Sequence, residues 1–288
     1  MTTVAAFSNG PKSTTSKRAI EIHGAADVSF THKDGETRLN RLYYRDPLKV
    51  LFPRGDIPTA ALVTTGGGLF GGDIYDIDIA LDEGAQSLVT AQAAEKVYRS
   101  SGPDCEINVN LKVADGACLE WLPQESILFD QARFRRTTKL DLAPEASALV
   151  GEIIVFGRLA SGEEVQDGLL REAWEVRRDG KLIWADALHM EDDLQRPLNH
   201  ASAFGGARAI ATAVYAGSDA EGLLETAREF LLGEEDVRVG ASFVNGLLIC
   251  RWLAKDPYQL RKSFGNFWSA FRHKALGRNA VLPRLWHC

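Results

Sequence analysis

The sequence predicts a mainly β protein: a β-helix-like stack of sheets with β-solenoid character and a small C-terminal α-helical part of about two helices. Nearly every segment from Ile20 to about Met190 has strand periodicity, with Asp-Gly and Ser-Gly turns between segments. A weak strand–turn–strand repeat begins at Leu81, Val113 and Leu142. Units that cannot bury their faces alone stack into layers, although three imperfect copies also fit a chance recurrence of a common pattern.

The first clear strand follows a glycine-rich loop, TTGGGLFGGD at residues 64–73. After the loop, Tyr75, Ile77, Ile79 and Leu81 alternate with Asp and Ala, which predicts a half-buried strand. The loop contains the G-x-G-x-x-G pattern, but a dinucleotide-binding loop must open a helix, whose N-terminus holds the pyrophosphate. We therefore expect this loop to join strand to strand, with glycines that permit positive φ or close backbone approach.

The last third of the chain predicts helices and a hairpin. A helix follows Asp219, and a clearer one starts at Asp256 as N-cap and stops at Gly277. Between them, Asn-Gly at 245–246 predicts a hairpin turn. The apolar stripe of the second helix favours the core over a partner surface; it consists of Leu260, Phe264, Phe267, Trp268 and Phe271.

The sequence has no Pro- or Ser-rich linker, so we expect one domain over 19–288. Its stacked β region would span 19–190, and an α+β region at 191–288 would pack on it. Residues 1–18, which are rich in Ser, Thr and Lys, are expected to form a flexible tail and not a signal peptide.

Composition limits the possible function classes. The chain has 288 residues, a net charge of −6 and a sequence pI near 5.6, which argues against general nucleic-acid binding. No stretch is apolar for long enough to predict a membrane span. Four widely spaced cysteines favour a reducing compartment, so we expect a cytoplasmic protein. The basic run at 133–139 is expected to be a solvated strand face.

Carboxylates are the main candidates for chemistry: Asp73 at the end of the glycine loop, Glu95, Glu152 and Asp186. Facing into stacked sheets, they could line a channel for a divalent cation. An acid/base pair on a β-solenoid surface could instead cleave polysaccharide. The third alternative is surface charge, or salt bridges to nearby arginine and lysine.

Five segments, in order, resemble the urease accessory protein UreD family, called UreH in some organisms. They are TTGGGLFGGD at 64–73, TAQAAEKVYRS at 90–100, LEWLPQESILFDQA at 119–132, GEIIVFGR at 151–158 and PRLW at 283–286. The resemblance runs from about residue 20 to the C-terminus.

The resemblance implies a non-catalytic scaffold for urease maturation. Such a protein binds apo-urease subunits and recruits the accessory proteins UreF and UreG, and GTP-dependent nickel insertion then uses the GTPase activity of UreG. It implies no tightly bound cofactor and an interior tunnel for transient Ni²⁺. By motif position, Asp73, Glu95, Glu152 and Asp186 are expected to lie near this path.

Two alternatives to this function stay open: a secreted-type β-solenoid enzyme that acts on polysaccharide, and a passive interaction module without metal. If the glycine loop lines the passage together with Asp73, then bulk at Gly67 or Gly71 should harm folding or passage.

Overall fold

The computed structural model describes residues 22–232 and 236–287, so the expected tail at 1–18 lies outside the described residues. Within them the chain forms seventeen strands and three helices. The strands are β1 (His23–Lys33), β2 (Glu36–Arg45), β3 (Leu48–Leu51), β4 (Thr59–Thr64), β5 (Ile74–Leu81), β6 (Gln86–Ala91), β7 (Glu95–Val97), β8 (Cys105–Val113), β9 (Cys118–Leu122), β10 (Ser126–Leu128), β11 (Arg133–Leu142), β12 (Ser147–Phe156), β13 (Asp167–Arg178), β14 (Lys181–Asp193), β15 (Ala209–Tyr215), β16 (Val237–Val244) and β17 (Leu247–Ala254). The helices are α1 (Gln195–Asn199), α2 (Leu224–Phe230) and α3 (Pro257–Leu276).

The strands form two sheets. The seven-stranded sheet has the order β14-β13-β11-β8-β5-β1-β2, with parallel pairing from β1 to β13 and an antiparallel strand at each edge. The ten-stranded sheet has the order β16-β17-β15-β12-β9-β6-β4-β3, and β10 and β7 pair beside β12. Parallel strands that are not joined by helices require the chain to pass from one sheet to the other and back.

This crossing explains the sequence repeat and confirms the predicted fold class. Leu81, Val113 and Leu142 each end a strand of the seven-stranded sheet, and the chain turns from there into β6, β9 and β12. Successive turns are hydrogen-bonded: the Ala114 amide donates to the Leu81 carbonyl at 3.0 Å, and the Ala143 amide donates to the Val113 carbonyl at 2.9 Å. Each repeat is therefore one turn of a β-solenoid stacked on the last.

The middle of the ten-stranded sheet is buried on both faces, as β12 illustrates. Val150 and Ile154 pack in the core between the two sheets, whereas Leu149 and Ile153 pack in a second core beneath the helices. Gly151 lies under α3, where an added Cβ would come within 2.7 Å of the Phe264 and Trp268 rings. Glycine at this position therefore permits the close approach of helix and sheet.

The predicted helix and hairpin signals at the C-terminus are confirmed. The Asp256 side chain accepts a hydrogen bond from the Tyr258 amide at the start of α3, and Gly277 ends the helix in the left-handed conformation. The predicted apolar stripe is buried core. Asn245 and Gly246, both at positive φ, form the turn between β16 and β17. No helix in the described part of the chain is long and apolar enough to cross a membrane.

A buried ion pair anchors α3 to the ten-stranded sheet. The Arg272 Nε donates to Glu120 Oε2 at 2.8 Å, and Nη2 donates to Oε1 at 2.9 Å. Both side chains are 1% exposed. Arg272 Nη1 also reaches the Asp56 carboxylate at 3.1 Å, and the Trp268 indole donates to Glu120 at 3.2 Å. The bidentate geometry fixes the position of the helix over the sheet.

Candidate functional site

Two cavities meet at Glu152 in the interior of the protein. The larger one, of about 280 Å³, is lined by Gly66–Gly68 of the glycine loop, Glu95, Arg136 and Glu152 among others. The smaller one, of about 190 Å³, is lined by Glu152, Glu172, Asp186 and Arg251 among others. Glu152 is the residue that the two linings share, so the cavities lie on either side of it.

Three charged side chains, from β11, β12 and β13, contact one another beside the two cavities. Arg136 donates from Nε to Glu172 Oε2 at 3.1 Å and from Nη2 to Glu172 Oε1 at 2.8 Å. Its third nitrogen, Nη1, donates to the Ser126 hydroxyl at 3.1 Å. Glu152 Oε2 lies 3.0 Å from Arg136 Nε. We call these residues, Arg136, Glu152 and Glu172, the central triad.

The two oxygens of Glu152 have different environments. Oε1 accepts hydrogen bonds from the Thr138 hydroxyl at 2.8 Å and from the Trp121 indole at 3.2 Å. Oε2 is buried and has no hydrogen-bond donor, although Arg136 lies close to it. The reason is that Nε carries a single hydrogen, which is directed at Glu172. Glu152 Oε2 therefore relies on the charge of Arg136 and on the Glu172 carboxyl group, whose side-chain hydrogen bond with Glu152 raises the pKa of Glu152.

Burial controls the ionisation of the triad. It raises the pKa of Glu152 above its ordinary value; Arg136 lowers that pKa and the negative charge of Glu172 raises it further. Burial lowers the pKa of Arg136, but the two carboxylates outweigh this effect and the net shift is upward. The guanidinium is thus permanently charged, whereas the pKa of Glu152, raised to about 8, leaves this carboxyl mainly protonated at neutral pH.

Glu95, at the start of β7, also lines the larger cavity. Its Oε2 accepts a hydrogen bond from the Thr64 hydroxyl at 2.6 Å. Burial raises the pKa of Glu95 to about 7, although the Thr64 hydrogen bond acts in the opposite direction. At neutral pH this carboxyl is therefore shared between its protonated and ionised forms.

The structure brings the four sequence-predicted carboxylates to different places. Glu95 and Glu152 line the larger cavity, and Asp186, on β14, lines the smaller one in an ion pair with Arg251 of β17. Asp73 is buried but is not among the residues that line either cavity; it accepts hydrogen bonds from the Phe70 amide at 2.9 Å and the Ile22 amide at 3.4 Å. Among the described residues, no three His, Cys, Asp or Glu side chains are grouped to hold a metal ion.

The glycine loop joins β4 of one sheet to β5 of the other, as expected for a strand–loop–strand connection. At Gly67 nothing lies within 4 Å of an added Cβ, so a small side chain has room there, and the expected effect of bulk on folding or passage stays a prediction. Gly71 has no such room: its Cβ would lie 2.1 Å from Ser100 Oγ and 2.6 Å from the Pro103 carbonyl. Close backbone approach therefore explains Gly71.

Sequence reasoning missed Arg136 and Glu172. The run at 133–139 was expected to be a solvated face, but Arg136 is 4% exposed and faces the interior. The alternation of side chains along a strand could have identified Arg136. It lies on the same face of β11 as the buried residues Phe134 and Leu140, whereas Arg133 and Arg135 lie on the opposite face. Arg136 and Glu172 are direct neighbours in the β11–β13 register.

Comparison with known proteins identifies the family of this chain. The family model described as UreD urease accessory protein matches residues 23–287. A urease accessory protein UreD from Magnetococcus marinus is 48% identical over 272 residues, which cover 92% of this chain and 94% of the relative. A UreD protein from Rhodopseudomonas palustris is 42% identical over 90% of this chain and 89% of the relative. A UreD protein from Xanthobacter autotrophicus is 42% identical over 94% of this chain and 92% of the relative. The matches extend over both sheets, the central triad and α3, and the chain therefore belongs to the UreD family of urease accessory proteins.

Proposed function

We propose that this protein is a cytoplasmic, non-catalytic scaffold for urease maturation. In this role it binds apo-urease subunits and recruits the accessory proteins UreF and UreG. GTP hydrolysis belongs to UreG, and the chain itself holds no tightly bound cofactor. The relatives are urease accessory proteins by name, which supports a role in urease maturation.

The interior passage is the proposed route of Ni²⁺, which is the cargo. One observation carries this part: Glu152 belongs to the lining of both cavities, so an ion in either cavity lies near this residue. Glu95 and Asp186 supply one further carboxylate each, in the larger and the smaller cavity. Weak, successive oxygen ligands suit transfer, because an ion must leave each site as readily as it enters.

Asp73 has a different proposed role. Its two oxygens are occupied by backbone amides that fix the start of β5 and the end of the glycine loop. We assign it to the support of the loop whose glycines line the larger cavity, and only indirectly to the route.

The test is co-expression of urease and its accessory proteins with Glu152→Gln, which removes the ionisable group and keeps the shape. Glu225→Gln is the matched control, because the Glu225 side chain is 75% exposed on α2. We expect both variants to co-purify with urease and the accessory proteins. Only Glu152→Gln should lower the nickel content of urease, measured by metal analysis.

Two other outcomes would change the proposal. Fully nickel-loaded urease with Glu152→Gln would rule out the nickel route and leave a passive scaffold. In that case Glu152 would serve only as the ion-pair partner of Arg136. Loss of co-purification with an otherwise folded variant would show that Glu152 serves assembly and not transfer.

A further inference from the structure

The strand β2 forms a free edge of the seven-stranded sheet and is exposed along nearly its whole length. It pairs with β1 along one side, and no described strand pairs with its other side. A row of backbone amide and carbonyl groups is therefore left without a strand partner, over a length of about 34 Å. A free edge of this kind is a template for the addition of another strand.

The face of β2 that is directed at the core is apolar and incompletely covered. Leu39, Leu42 and Tyr44 stay 42%, 40% and 42% exposed. In the β1–β2 register each of them is the partner of a β1 residue that is buried in the core between the two sheets. A strand added beside β2 would extend that core over the three side chains and remove apolar surface from water.

The sequence of β2 is complementary to itself when it is read in the opposite direction. We propose that β2 is the interface of a symmetric homodimer, in which two copies pair antiparallel about a two-fold axis between Asn40 and Arg41 and join their seven-stranded sheets. The complementary cross-strand pairs are Glu36 with Arg45, Arg38 with Tyr43, and Leu39 with Leu42. Each pair occurs twice by symmetry and joins side chains of the same face. Opposite charges, a cation over a ring and an apolar pair all stabilise such contacts.

The distribution of arginines on β2 selects this register. A shift by two residues in either direction sets Arg38 opposite Arg41 or Arg45, and like charges directly opposite each other are destabilising. A shift by one residue sets inward-facing side chains opposite outward-facing ones. Arg41, beside the two-fold axis, already has a counter-ion in Asp27 of β1. Arg38 contacts Glu36 of its own chain at 3.2 Å, but this pair is exposed and exchanges partners at little cost.

The test measures the molar mass of the full-length chain by light scattering during gel filtration, over a dilution series. We expect the wild type to move from the monomer mass of 31.6 kDa to twice that mass as the concentration rises. Arg45→Glu and Glu36→Arg each set like charges opposite each other at both ends of the paired strands. Each single variant should therefore raise the dissociation constant of the dimer at least about tenfold.

Charge reversal on both sides separates an interface from a merely structural role. The two single variants, mixed in equal amounts, should form a mixed dimer, because opposite charges then face each other again. The double variant Glu36→Arg with Arg45→Glu should dimerise like the wild type for the same reason. Both positions are exposed, so the fold tolerates these changes. Glu225→Arg is the matched control: its side chain is 75% exposed on α2, away from β2, and the dissociation constant should not change.

Three results would overturn the inference. The first is a wild-type chain that stays monomeric at every concentration. The second is a dimer that both single variants leave unchanged, which would assign dimerisation to another surface. The third is a mixture of the two variants that stays monomeric, which would refute the register. Co-expression of two differently tagged copies, followed by pull-down through one tag, repeats the comparison in a cell extract. None of these readouts depends on nickel or on urease.

Discussion

Replacement of Arg272 by methionine tests the anchor between α3 and the ten-stranded sheet. The variant leaves the Glu120 carboxylate, 1% exposed, with the Trp268 indole as its remaining side-chain donor. Loss of one partner of a buried ion pair costs about 3–5 kcal/mol of unfolding free energy, since the other charge stays desolvated. For a chain of this size that corresponds to a fall of roughly 6–10 °C in Tm.

The assay is urea unfolding at pH 7, with Tm as a second measure. Arg251→Met is the control, because its pair with Asp186 is 50% and 40% exposed on the two sides, and exposed pairs contribute about 0–1 kcal/mol. The double variant Arg272→Met with Glu120→Met should be more stable than Arg272→Met alone, because it also removes the stranded carboxylate.

Either of two results would refute this reasoning. One is a loss below about 1 kcal/mol for Arg272→Met, which would mean that water reaches Glu120 readily. The other is a double variant no more stable than Arg272→Met. That result would show that the lost free energy of unfolding comes from the packing of the arginine side chain and not from the unpaired Glu120 carboxylate.

Three further predictions concern other parts of the chain. Gly71→Ala should lower the free energy of unfolding by about 1–3 kcal/mol through backbone and side-chain clashes. Gly67→Ala, where the added Cβ has room, should change the free energy of unfolding by no more than about 0.5 kcal/mol. Urea unfolding of both variants measures the difference. The pKa of Glu95 in the folded protein is raised to about 7, so ionisation of this carboxyl disfavours the folded state. The free energy of unfolding should therefore be highest below the ordinary pKa of Glu and should fall as pH rises through 7, by at most about 3 kcal/mol. Glu95→Gln should remove this slope, and equal pH profiles for the wild type and the variant from pH 5 to 8 would contradict the buried assignment. Asp256→Ala should cost about 1 kcal/mol in urea unfolding, since the Tyr258 amide loses its cap; an unchanged midpoint would show that water replaces the cap fully.

Local chemistry made much of the fold predictable. The start and stop of α3 followed from Asp256 and Gly277, the hairpin from its Asn-Gly pair, and β5 from strict alternation. In each case the residues that specify the element lie within a few positions of one another. The repeat could also be predicted, because every solenoid turn reuses the same strand–turn–strand unit.

The candidate site was less predictable because distant segments form it. Arg136 and Glu172 are 36 residues apart, and only the parallel register of β11 and β13 makes them neighbours. Glu120 and Arg272 are 152 residues apart, and no local pattern pairs them. The alternation of buried and exposed residues along β11 could have identified Arg136 as an inward-facing charge. Its ion-pair partners could be predicted only from the order of the strands in the sheets, which the sequence pattern does not give.

The double burial of the ten-stranded sheet has a consequence for biosynthesis. The seven-stranded sheet covers one face of β12, and helices that include α3 cover the other, where Leu149 and Ile153 pack. Residues 257–276 are synthesised after all the described strands, so a nascent chain that ends before them presents this apolar layer to the surrounding water. Exposed layers of this kind attract chaperones or aggregate. The time between completion of the solenoid and arrival of α3 is therefore the stage of synthesis at which this chain is most vulnerable to misassembly.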